Sequence, residues 1–420
     1  MEKITLPNGL RILLEPLDHL RTVSFGIWVA SGSRYESPEN NGISHLIEHM
    51  LFKGTSRRSA IQLAEETDEI GGQVNAYTTK EFTCYYSCSL TEHLPACVDL
   101  LADMFRHSLF AENELASEKN VVLDEINMSE DDPEELVVEQ LTSAIWKDSP
   151  LGQTILGPRE TLRSFTSTDL KQYWADRYVA DRTVISVCGN FSREPLLTLI
   201  REQFADLPSS KTPDPPVVIP YRPSVILTPK AQDQTYLCLA LPGLPADHPD
   251  RFALSIFNIL LGGSSSSRLF QRIREELGLA YSVYSDTLSL LGGGILCIQA
   301  AMAPSVAPKV LTEILNVLED LRKNGISPRE FVRAKENLKA TVLMGMESAA
   351  TRVEHNGRHE LLFGKYQSAE DFLHEVDSIT LERLNSLLPC WLDQTKLSFS
   401  AVGSIPKKLE KLILSLSSQE

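Results

Sequence analysis

Hydrophobic and polar positions alternate or recur at helical spacing in segments that follow one another in a set order. Thr22–Ser31 alternates, with Val23, Phe25, Ile27 and Val29 on one face, and predicts a strand with a buried side. Ile4–Leu6 and Arg11–Glu15 flank Pro7-Asn8-Gly9, where Asn-Gly marks a hairpin. Gln73–Thr79 and Phe82–Leu90 read as paired strands, and Thr183–Gly189 is an apolar run suited to a buried one. Helical spacing covers Ser59–Ile70, His93–His107, Glu112–Met128, Glu134–Trp146, Thr168–Tyr178 and Glu194–Gln203. One further helix lies between Gly42 and Gly54. Ile43, Leu46, Ile47, Met50 and Leu51 fill much of its circumference, which predicts burial against a sheet.

After Pro208–Pro220, a proline-rich linker, the order recurs. Thr235–Leu241 repeats the strand and Asp247–Leu261 the loop and helix. Ala280–Thr287 and Gly294–Met302 repeat the strand pair. Val306–Asn324 and Pro328–Met346 repeat two helices, and Leu397–Gly403 with Lys407–Leu416 repeat the closing strand and helix. One α/β unit is used twice, which predicts domains over 1–207 and 221–420 joined by 208–220.

Composition narrows the partners. A chain of 420 residues exceeds one ordinary core, and 42% hydrophobic with 23% charged residues reads as globular. The net charge of −16 argues against nucleic acid and anionic membrane surfaces. No apolar run approaches a membrane span, and Met1–Leu10 enters a strand and turn with no leader pattern. Seven cysteines, odd in number and mostly within apolar runs, fit reduced core thiols. A cytoplasmic protein is expected.

The buried helix also carries candidate chemistry. His45 and His49, four residues apart, share one face with Glu48. Unpaired, these side chains would be costly to bury in so apolar a helix, so a partner is expected. Two imidazoles at this spacing can take adjacent positions on a tetrahedral metal, and a neighbouring carboxylate can handle a water's proton. His-x-x-Glu-His is the inverted order of the zinc-peptidase motif. A third ligand is needed, and the helix after Glu112 offers Glu118 and Glu125, seven residues apart on one face. Periodicity does not choose between them. The second copy has Ala253-Leu254-Ser255-Ile256-Phe257-Asn258 in place of the histidine motif, and Thr341 falls opposite Glu125. Only the first domain can hold this metal.

His45-x-x-Glu48-His49 followed by Glu118-x6-Glu125 resembles the pitrilysin/insulinase (M16) family of zinc metallopeptidases. The likeness is greatest to the short, two-domain branch that includes processing peptidases. It extends to Gly54-Thr55, Asn75-Ala76-Tyr77-Thr78, the segment from Pro150 to Gly157, Ser266–Phe270 and Arg274–Ser282. The resemblance implies an α+β chain of two tandem homologous α/β-roll domains with mostly antiparallel sheets. It implies one Zn2+ per chain on His45, His49 and Glu125, with Glu48 as general base and Glu118 orienting a ligand histidine. It further implies substrate pairing along Asn75 and Ala76, and an Arg274/Tyr281 pair facing the zinc of a second subunit. The expected activity is cleavage of short or unfolded peptides by a homodimer enclosing a chamber. The alternatives are the active half of a heterodimer, or a non-catalytic peptide-binding or structural subunit of the same fold.

Overall fold

Strands form where the alternating and apolar runs predict them, and they assemble into two sheets. In the computed structural model, residues 1–210 and 219–417 are described, so most of the predicted linker 208–220 lies outside the described residues. The first sheet holds β1 (Glu2–Thr5), β2 (Arg11–Pro16), β3 (Thr22–Val29), β4 (Gln73–Thr78), β5 (Thr83–Leu90) and β6 (Thr183–Gly189). Their order is β1-β2-β6-β3-β5-β4. Only β2 and β6 run parallel; the other neighbours are antiparallel.

The second sheet holds β7 (Val225–Pro229), β8 (Thr235–Pro242), β9 (Ser282–Leu290), β10 (Gly293–Met302) and β11 (Ser398–Gly403), in the order β7-β11-β8-β10-β9. Here β7 and β11 form the parallel pair and the rest is antiparallel. Strand for strand, this is the first sheet without β1. The expected α+β class of antiparallel-rich sheets packed by helices is found.

Each unit has a main core on one sheet face. In the first, Ile12, Phe25, Ile27 and Tyr85 pack with Leu46, Ile47, Leu101 and Val122. In the second, Leu239, Leu296 and Phe399 pack with Ile256, Phe257, Leu311 and Leu318.

The other faces explain why the compact units differ from a cut at 207–221. The first unit comprises Met1–Ile126, the described part of Gln153–Pro215, and Met344–Gln367. The second comprises Asn127–Gly152 and the described parts of Pro216–Leu343 and Ser368–Glu420. A sheet with two apolar faces needs cover on both. In the first unit, Trp28, Cys84 and Val184 are covered by Ala349 and Val353 of helix Ala349–Phe363, which lies on β3 and β6. In the second, Cys238, Ala240 and Val402 are covered by Val137, Leu141 and Ile145 of helix Pro133–Ile145, on β8 and β11. Each sheet is completed by a helix from the other half of the sequence. Helix Ala349–Phe363 has no clear apolar period because its buried positions include Asn356, Gly357, His359 and Glu360.

Candidate metal centre

The histidine helix, Ile43–Leu51, buries Ile43, Leu46, Ile47, Met50 and Leu51 in the first core. That orientation leaves His45, Glu48 and His49 together on its half-buried side. The chain enters the helix through Gly42 at φ 97°, where a Cβ would lie 2.5 Å from the Leu156 carbonyl oxygen. Glycine is required there both by conformation and by space.

Glu36 anchors the same end, a role that no spacing in the sequence signals. Its Oε1 accepts the Ser44 N–H at 2.9 Å. Its Oε2 accepts the Gly42 N–H and the Asn41 Nδ2, both at 2.8 Å. A buried carboxylate thus meets the open N–H groups and positive end of the helix dipole. Burial pushes the Glu36 pKa up, and these hydrogen bonds act against that rise.

Helix Glu112–Asp131 supplies the remaining carboxylates. His45 Nε2 and His49 Nε2 are 3.3 Å apart. Glu125 Oε2 stands 3.7 Å from the first and 3.6 Å from the second. Zinc bonds at tetrahedral angles hold neighbouring donors about 3.3–3.6 Å apart, so the trio fits one ion with a position left open. Among the described residues it is the one group of three His, Cys, Asp or Glu side chains with donor atoms mutually within 4.8 Å.

The protonation states suit ligation. Burial, with His49 adding to it, lowers the His45 pKa from 6.5 to about 3, which leaves a neutral imidazole at neutral pH. Glu118 Oε1 lies 2.9 Å from His49 Nδ1. A proton on Nδ1 satisfies that contact and turns the Nε2 lone pair toward His45 and Glu125. Lys53 Nζ holds the other Glu118 oxygen at 2.8 Å. His45 Nδ1 has no such support: it is buried without a hydrogen-bond partner. Glu118 and Glu125, equivalent by periodicity, are separated by the fold into a support and a candidate ligand.

Glu48 Oε2 accepts the Thr78 hydroxyl at 2.5 Å. Burial raises the Glu48 pKa; the Thr78 bond and His49 oppose that shift, and Glu125 reinforces it. Thr78 ends β4, the edge strand that also carries Asn75 and Ala76. Ala76 donates its N–H to Asn75 Oδ1 at 2.8 Å. Arg274 and Tyr281 come together in the second unit, with the guanidinium 5.2 Å from the centre of the phenol ring and Tyr281 80% exposed.

A two-unit α+β chain with one His-His-Glu centre describes a class of metal-site proteins, and comparison with known proteins narrows it. The family profile described as Insulinase (Peptidase family M16) matches residues 11–159. That described as Peptidase M16 inactive domain matches residues 164–338. The chain belongs to peptidase family M16. A Bacillus subtilis (strain 168) protein named as an uncharacterized zinc protease, YmxG, is 42% identical over 92% of this chain and 94% of its own length. A similarly named Mycobacterium leprae (strain TN) protein is 38% identical over 92% of this chain and 88% of its own. Among solved structures, a protease from Helicobacter pylori superposes with a TM-score of 0.90 at 22% identity, over 96% of this chain and 99% of the other. The fold is therefore shared with that protease. Among the described residues, no helix is long and apolar enough to cross a membrane.

Proposed function

We propose that the protein is a zinc-dependent endopeptidase acting on short or unfolded peptides. The observation that carries this reading is the convergence of His45, His49 and Glu125 within 4.8 Å beside Glu48. His45, His49 and Glu125 hold one zinc per chain. Bound there, zinc supplies a Lewis acid for the scissile carbonyl and acidity for the attacking water. Glu48 takes the proton from that water as its oxygen adds to the carbonyl carbon, then delivers the proton to the departing amine. Thr78 orients the Glu48 carboxylate. Glu118, itself held by Lys53, fixes the His49 ring.

The substrate lies as an added strand along β4 at Asn75 and Ala76, a mode that takes peptides of many sequences. Arg274 and Tyr281 of a second copy hydrogen-bond the carbonyl oxygen as it gains charge. The working form is a homodimer enclosing a chamber, located in the cytoplasm. Relatives named as zinc proteases support the peptidase part of this reading.

Glu48→Gln tests it. The variant is expected to retain about one zinc per chain and to lose at least ~1000-fold in cleavage of an unstructured peptide. Wild-type cleavage by that variant removes Glu48 as the base. Absence of zinc from the wild-type chain favours a non-catalytic subunit. A monomer that needs another protein for activity favours the heterodimer.

A further inference from the structure

In the second unit, the stretch Phe270–Glu276 is wound as a π-helix, a rare conformation that recurs at functional sites. Ile273 anchors it in the core. Gly278, at φ 58°, ends it. There the Gly278 N–H donates to the Arg274 carbonyl at 3.2 Å, and the Leu279 N–H donates to the Ile273 carbonyl at 2.9 Å. The chain turns back, and Tyr281 returns to the side of Arg274.

Three arginines close together in this part of the chain are held in different ways. Arg268 bonds Glu330 at 2.8 Å and Asp320 at 2.7 Å. Arg272 bonds Glu276 and Glu313, both at 2.9 Å. The Arg274 side chain makes no hydrogen bond or ion pair among the described residues. Its guanidinium lies over two rings instead, 4.8 Å from the centre of Phe270 and 5.2 Å from that of Tyr281. Phe270 is half-buried, whereas Arg274 and Tyr281 are exposed, so the phenylalanine is the more firmly seated of the two rings.

The two kinds of partner leave an arginine in different states. A guanidinium has five N–H donors and no acceptor, and a carboxylate engages those donors in hydrogen bonds. An aromatic ring attracts the cation through its π face and leaves the donors to an incoming oxygen. Glu276, two residues on, is engaged by Arg272 and does not compete for Arg274. We propose that Phe270 is a positioning residue for Arg274: its ring holds the cation in place while the N–H groups stay open. The inference rests on the role given above to Arg274 and Tyr281 of a second copy. It adds a use for the Tyr281 ring, as the other aromatic surface on which the cation rests.

The test compares Phe270→Leu, Phe270→Tyr and Arg274→Ala in the full chain. Two readouts are used: steady-state cleavage of an unstructured peptide, and NMR of the 15N-arginine-labelled chain. The Arg274 Nε–H signal is assigned by its loss in Arg274→Ala. Phe270→Leu removes the π face and keeps an apolar side chain. It is expected to lower kcat about two- to fivefold, the size of an exposed cation–π contact, at unchanged KM, zinc content and melting temperature. The order parameter of the Arg274 Nε–H should fall with it, and Phe270→Tyr should restore both. Phe270→Met takes the place of a leucine variant that does not fold. Wild-type kcat and an unchanged order parameter in folded Phe270→Leu, beside an impaired Arg274→Ala, overturn this inference alone. So does an equal loss in Phe270→Tyr. Wild-type kcat in Arg274→Ala instead overturns the catalytic role of the pair; the order parameter then still decides whether Phe270 holds the guanidinium.

Discussion

The two units share a strand order and diverge in one helix. In the first, helix Ile43–Leu51 directs His45, Glu48 and His49 toward Glu125, and Glu48 accepts a hydroxyl from Thr78 on edge strand β4. In the second, helix Arg251–Leu261 buries a similar apolar set, and Asn258 Oδ1 accepts the Ser285 hydroxyl at 2.7 Å on edge strand β9. A polar latch from helix to edge strand is present in both. In the second unit it is neutral, and among the described residues no group of metal-ligating side chains includes it, so its evident role is to fasten the helix. Architecture constrains apolar positions and one latch; the chemistry needs a few extra side chains that packing does not demand.

The sharpest way to break this comparison is a matched pair of substitutions. His49→Ala is expected to reduce zinc below about 0.1 per chain and peptide cleavage by ~1000-fold or more, because two ligands cannot hold the ion in place of three. Ser255→Ala on the second helix should leave both unchanged, as measured by metal analysis and initial rates. An equal loss in the second variant would mean that both helices serve the site.

A smaller effect is expected from Glu118→Ala. Loss of the carboxylate that orients His49 should weaken zinc by about 10–100-fold, read by competition with a chromophoric chelator. In the second unit the conspicuous carboxylate is Glu330, bonded to Arg268 at 2.8 Å and not a member of the His-His-Glu group. Its alanine variant should leave zinc affinity unchanged.

The smallest effect concerns acid stability. Glu330 is held at about 2 by Arg268, against the usual 4.5. Its contribution to stability is therefore present above pH 4.5 and is lost as pH falls toward 2. Glu330→Gln should flatten the fall in melting temperature across that window. An unchanged acid limb would assign the dependence to other carboxylates.

Much of this was legible because it follows from local pattern. The alternation of β3, the apolar run of β6, the doubled order of elements and the histidine spacing all depend on neighbours in the chain. Less local features were not legible. Helix Ala349–Phe363 hides its buried face behind Asn356, Gly357, His359 and Glu360. Asn356, Gly357 and Glu360 find Glu15, Trp28 and Lys3 only once the sheet lies beneath them, and His359 meets the Lys365 carbonyl past the helix end. Glu36 sits in a polar loop whose sequence gives no sign that its oxygens will meet the Gly42 and Ser44 N–H groups.

The sequence by itself determined the two-fold use of one unit, and it confined candidate ligands to the first. Periodicity and residue type suffice for that, since a helix with two histidines four apart presents them together wherever it packs. Only the tertiary structure decided which half of the chain covers each sheet, and which of Glu118 and Glu125 reaches the histidine Nε2 atoms. Those outcomes depend on how separate segments approach one another, and residues seven apart on a helix look alike until a second helix lies against them.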